Sequence, residues 1–119
     1  MSSQPEQLRD RTKAFALRVI RLYRSLPYRT DTQVLGKQLL RCGTSVAANY
    51  RAVCRARSKA EFIAKMGVVV EEADEAILWL ELMTESGIAS AAKTEALPKE
   101  ANELTAIFAA SQRTARNAA

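Results

Sequence analysis

The chain contains no histidine, and that gap removes more chemistry than any other. Without an imidazole there is no ordinary Ser-His or Cys-His nucleophile pair, no zinc site of the common kinds and no imidazole general base. A P-loop and a dinucleotide fingerprint are missing as well. Proline occurs three times, glycine four times, and aromatic residues make up only 6% against 48% hydrophobic; few chain breakers among many aliphatic residues suit an all-helical packing. Cysteine is confined to Cys42 and Cys54. On one helix these would stand about 18 Å apart, beyond the roughly 7 Å that a disulfide spans. Both read as small, inert core residues. Nothing from Met1 to Pro5 has the apolar core of a signal peptide, and no apolar run approaches the ~18 residues of a membrane span. The expectation is a cytoplasmic, soluble, non-enzymatic protein with no cofactor, metal, membrane partner or small-molecule substrate.

Charge is what the chain has in quantity. Residues 1–57 hold twelve Lys and Arg against three Asp and Glu, whereas residues 58–119 hold six against ten. The front half is a polycation. Such a split implies either an anionic partner or one half of a compact fold neutralising the other.

At 119 residues and 13.1 kDa the chain is one domain. The pattern predicts four helices, over about 5–26, 31–56, 59–86 and 90–113, with a frayed tail at 114–119. Helix 1 has Ser3 as N-cap with Glu6 three residues on, an apolar seam of Leu8, Phe15, Val19, Leu22 and Leu26, and Pro27 as its stop. Thr30-Asp31-Thr32-Gln33 repeats the capping pattern for helix 2, whose seam reads Leu35, Leu39, Cys42, Val46, Asn49 and Val53. Asn49 thereby points to the core, with Ser45 one turn back as its neighbour. A single core asparagine fixes register or ties two helices together. Gly43, unfavourable in mid-helix, implies a close approach or a bend.

Opposite that seam, Lys37, Arg41, Thr44, Ala48, Arg51 and Arg55 recur at four-and-three spacing. Four cations with two small residues between them form a basic strip, extended by Arg57, that suits a phosphate backbone. The competing reading is a solvated or salt-bridged face. Ser58 and Glu61 give the clearest helix start. Helix 3 has a seam of Phe62, Met66, Val69, Ala73, Ala76, Leu80 and Met83, ended by Gly87 in a left-handed conformation. Its 3.5-residue period implies left-handed packing. Ile63, Val70 and Ile77 widen the buried side. Leu78, Trp79 and Leu82 lie beyond it and, with Leu17 and Ile20 of helix 1, predict an oligomer interface. Glu71, Glu72, Asp74 and Glu75 form an acidic patch. A di-iron site in a bundle would need Glu-x-x-His pairs, so these acids are assigned to arginines instead. Helix 4 continues the seam with Leu97, Ala101, Leu104, Phe108 and Ser111, and kinks or restarts at Pro98.

The segments Gly43-Thr44-Ser45-Val46-Ala47-Ala48-Asn49-Tyr50-Arg51-Ala52, Arg55-Ala56-Arg57-Ser58-Lys59-Ala60-Glu61-Phe62, Glu71-Glu72-Ala73-Asp74-Glu75 and Trp79-Leu80-Glu81-Leu82 resemble the bacterial four-helix bundle family also named for intervening sequences of 23S rRNA genes. The resemblance implies an antiparallel up-down four-helix bundle, a ring-like homo-oligomer that is commonly a homopentamer, and no established enzymatic activity. The fold is similar to that of the accessory protein of diversity-generating retroelements, which implies that Lys37, Arg41, Arg51, Arg55 and Arg57 meet RNA or DNA. The alternative is a protein-interaction or assembly module whose arginines form salt bridges between helices or subunits.

Overall fold

In the computed structural model, which describes residues 3–94 and 96–118, the helices begin where side chains can close their first turns. Helix α1, Gln4–Ser25, starts as the Ser3 hydroxyl accepts from the Glu6 N–H at 3.2 Å. Helix α3, Lys59–Glu85, starts the same way, Ser58 accepting from the Glu61 N–H at 3.0 Å. Between them α2, Thr30–Val53, departs from expectation. Its cap is Arg29, which makes no side-chain capping bond, and the Asp31 carboxylate accepts from the adjacent Thr32 N–H instead. At the far end of α3, Gly87 has φ +84°, and the Ala89 N–H reaches back to the Met83 carbonyl at 3.0 Å, closing the helix as the glycine foretold.

The fourth predicted helix is two. A single turn, α4 (Ala91–Thr94), is followed by α5 (Leu97–Asn117), with Pro98 in the first turn of α5, where its missing N–H costs nothing. Pro98 therefore marks a restart. The tail expected to fray from 114 is helical to Asn117, and the Ala118 carbonyl accepts from the Lys59 ammonium at the start of α3; Ala119 lies outside the described residues. The predicted end of helix 2 is corrected in the other direction, since α2 stops at Val53 and residues 54–58 form the connection.

The described residues are all helical or connecting, with no strand among them. Each long helix packs on the next, α1 on α2, α2 on α3 and α3 on α5, while α1 touches α5 more sparsely. The core runs along this bundle of four long helices: Phe15, Val19 and Leu22 from α1, Leu39, Val46 and Val53 from α2, Met66, Val69, Ala73, Ala76, Leu80 and Met83 from α3, and Leu97, Ala101, Leu104 and Phe108 from α5. Seams at heptad spacing in α1, α3 and α5 thus face the core as read, although Leu26, Phe62 and Ser111 at the ends of those seams are only half-buried.

In α2 the seam is shifted. The buried set is Thr32, Gly36, Leu39, Cys42, Gly43, Val46, Tyr50 and Val53, so Tyr50 takes the place assigned to Asn49. The two glycines are the cause. A Cβ on Gly43 would meet both γ-carbons of Val19 at 2.9 Å, and one on Gly36 would meet the Tyr23 ring at 3.0 Å. α1 therefore lies against the glycine face and rolls α2 until Tyr50 is inside, its ring 5.4 Å from that of Phe108. Asn49 is left half-buried, donating to the Ser45 carbonyl at 2.9 Å and to the Ser45 hydroxyl at 2.7 Å. Ser45 is the expected neighbour, but both bonds stay within α2 and tie no helices together. No helix among the described residues is long and apolar enough to cross a membrane.

Candidate nucleic-acid interface

The basic strip of α2 separates into parts with different partners. Arg41 leans toward α3: one guanidinium nitrogen lies 3.2 Å from Glu72, and the other donates to Glu75 at 2.7 Å. The Glu75 carboxylate is held below its ordinary range, chiefly by that hydrogen bond, and also accepts from the Trp79 indole N–H at 3.3 Å. Arg41 is consequently neutralised within the chain and leaves the set of free cations. Lys37, Arg51, Arg55 and Arg57 are exposed, and among the described residues none of them forms an ion pair.

These four do not stand together. Lys37 is fourteen residues from Arg51, about 21 Å along the axis, and Arg57 lies in the connection after α2. Arg51, at the end of α2, and Arg55, in the connection just beyond it, instead meet Arg9 and Lys13, one turn apart on α1. All four line an open depression of about 260 Å³ with Asp10 and the exposed Cys54. The antiparallel path creates it, since the beginning of α1 lies beside the end of α2. Asp10 forms no ion pair there among the described residues. Arg9 and Lys13 are functional candidates the strip on α2 alone does not reveal. Their signal in the sequence is the i,i+4 spacing of two bases on a helix that must run antiparallel to α2.

By contrast, Arg11, also on α1, is spoken for. Its Nε donates to Glu100 at 3.1 Å, and a second nitrogen bridges Glu100 and Glu103 of α5. Arg11 and Arg41 are thus paired, whereas the four cations of the depression share only Asp10, which forms no ion pair with any of them among the described residues.

Cys42, Glu72 and Glu75 bring potential donor atoms within 4.8 Å of one another. They do not form a good metal site. Burial pushes the Cys42 thiol up to about 12, which opposes the thiolate a metal needs, and the Arg41 guanidinium already occupies both carboxylates.

Of the residues expected at an oligomer interface, Leu17, Leu78 and Leu82 are exposed at 41%, 46% and 41%, large values for leucines on a helix. Ile20 and Trp79 are half-buried, and Trp79 packs against the core. Val34, Val68 and Tyr28 are also exposed, and the heptad reading did not pick them out.

Fold and site together define a class: an all-α bundle of four long helices with an unneutralised basic recess between its first two. The chain belongs to the 23S rRNA-intervening sequence protein family, whose sequence model matches residues 7–110. It is similar to a crystal structure from Bacteroides thetaiotaomicron described as a protein of unknown function from the S23 ribosomal protein family. That match has 30% identity and a TM-score of 0.84, and covers 93% of this chain and 99% of that one. No curated protein matches the sequence.

Proposed function

We propose that the protein is a non-enzymatic helical bundle that assembles into a ring-like homo-oligomer, a homopentamer, and binds the phosphate backbone of RNA or DNA in the cytoplasm. Arg9, Lys13, Arg51 and Arg55 are the principal contacts; Lys37 and Arg57 extend the positive surface. The observation that carries this reading is that those four side chains line one depression with a single acid, Asp10, and form no ion pair among the described residues, whereas Arg11 and Arg41 nearby do. Charge-assisted hydrogen bonds to phosphate oxygens are what such exposed guanidinium and ammonium groups make best. No aromatic side chain lines the depression, so binding is largely independent of sequence. The family's name makes ribosomal RNA the first polymer to test.

Fluorescence anisotropy with structured RNA and duplex DNA across a salt series tests the reading. Four phosphate contacts give a log-log slope of about −3.6 on a duplex. No binding at low salt would remove it.

A second reading, an assembly module without a nucleic-acid ligand, is favoured by one observation, the tie of Arg41 to Glu72 and Glu75 between α2 and α3. Reversing Arg51 and Arg55 to glutamate separates the two. Loss of the oligomer assigns those arginines to assembly; an intact oligomer that no longer binds assigns them to the ligand.

A further inference from the structure

The depression between α1 and α2 gathers four cations around one small open space. We propose that it receives the terminal phosphate of a polynucleotide, a phosphomonoester at a strand end, in preference to a diester in mid-strand; this rests on the nucleic-acid reading above.

Its volume, about 260 Å³, falls below the ~300–1,000 Å³ of pockets that enclose a drug-sized ligand. A single phosphate group fits within it, and five of its six lining residues are charged. Four cations against the single acid Asp10 leave a surplus of three positive charges in the lining. The cations approach from two sides, Arg9 and Lys13 one turn apart on α1, and Arg51 at the end of α2 with Arg55 in the connection just beyond it. The like-charged i,i+4 pair Arg9 and Lys13 is unfavourable on α1, so an anion seated among the four relieves repulsion as well as making new bonds. A backbone diester brings one negative charge. A terminal monoester brings ~1.5 to 2 charges and three strong acceptor oxygens, a closer match to several donors converging from two sides. With no aromatic residue in the lining, nothing there holds the adjoining base, and recognition depends on the phosphate.

Cys54 supplies an internal reporter, because it is exposed in the same recess while Cys42 is buried. The experiment uses the full chain and one short single-stranded RNA in three forms, 5′-phosphorylated, 3′-phosphorylated and unphosphorylated. Anisotropy should show at least one phosphorylated form binding about tenfold more tightly than the unphosphorylated strand. That advantage should disappear when Lys13→Ala is combined with Arg55→Ala. On the unaltered protein, the preferred strand should slow alkylation of Cys54 by iodoacetamide, and the unphosphorylated strand at the same concentration should not. Equal binding of all three forms overturns end recognition and leaves the backbone reading standing. If none of them binds, and structured RNA and duplex DNA do not bind either, both fall.

Discussion

An alanine at position 43 would put its methyl 2.9 Å from both γ-carbons of Val19, a β-branched side chain that cannot swing aside. Overpacking of this kind costs about 1–3 kcal/mol, against which the better helix propensity of alanine returns about 1 kcal/mol. Gly43→Ala should lower stability by up to about 2 kcal/mol in urea denaturation, and Val19→Ala in the same chain should recover part of it. An unchanged midpoint would show that α1 does not rest on this glycine. The two cysteines should separate as cleanly. Native protein should take up one equivalent of thiol reagent, at Cys54, and unfolded protein two. The Cys42 thiol, desolvated, is raised to about 12, and burial raises the Tyr50 hydroxyl to about 12 as well. Above pH 9 the unfolded chain therefore releases protons that the folded chain retains. Stability should be fully present below pH 9 and fall as pH rises toward 12, by up to about 1.4 kcal/mol per pH unit for each group. A stability flat across that range in pH-dependent melts would contradict the burial of both groups.

At the level of helices, α1, α3 and α5 were legible because their heptads are made of large apolar residues, which announce the buried side. α2 was not, and the reason is local. Its contact with α1 is made by Gly36 and Gly43, which a search for hydrophobic side chains passes over. The same blind spot hid half of the basic recess, since a strip read along α2 alone has no place for Arg9 and Lys13. Arg41 fits the strip in spacing, yet the reach of its side chain to Glu72 and Glu75 on α3 is tertiary information. That pair is half exposed, and such bridges are worth roughly 0.2–1 kcal/mol. Arg41→Ala should accordingly cost less than about 1 kcal/mol and leave nucleic-acid affinity within about twofold. Arg51→Ala with Arg55→Ala should weaken binding about tenfold or more, with the thermal midpoint nearly unchanged. Equal effects of the two changes on affinity would return Arg41 to the binding surface.

For the assembled protein, Leu17, Leu78 and Leu82 carry the prediction of self-association. Native mass spectrometry should give one oligomeric mass, five times that of the chain. Leu78→Glu with Leu82→Glu should reduce it to the monomer without loss of helical circular dichroism. A variant that keeps the full mass would move the interface elsewhere, with the face bearing Val34 and Val68 as the next place to look. Whatever the number of subunits, the distribution of charge within each one has its own consequence. The surplus of positive charge lies on α1 and α2 and the surplus of negative charge on α3, so each chain is a lateral dipole. A polyanion still a Debye length away exerts a torque that turns the basic side toward itself and the acidic side away. Added salt should then slow the approach before it loosens the bound state, and stopped-flow traces should show the association rate falling more steeply than the dissociation rate climbs.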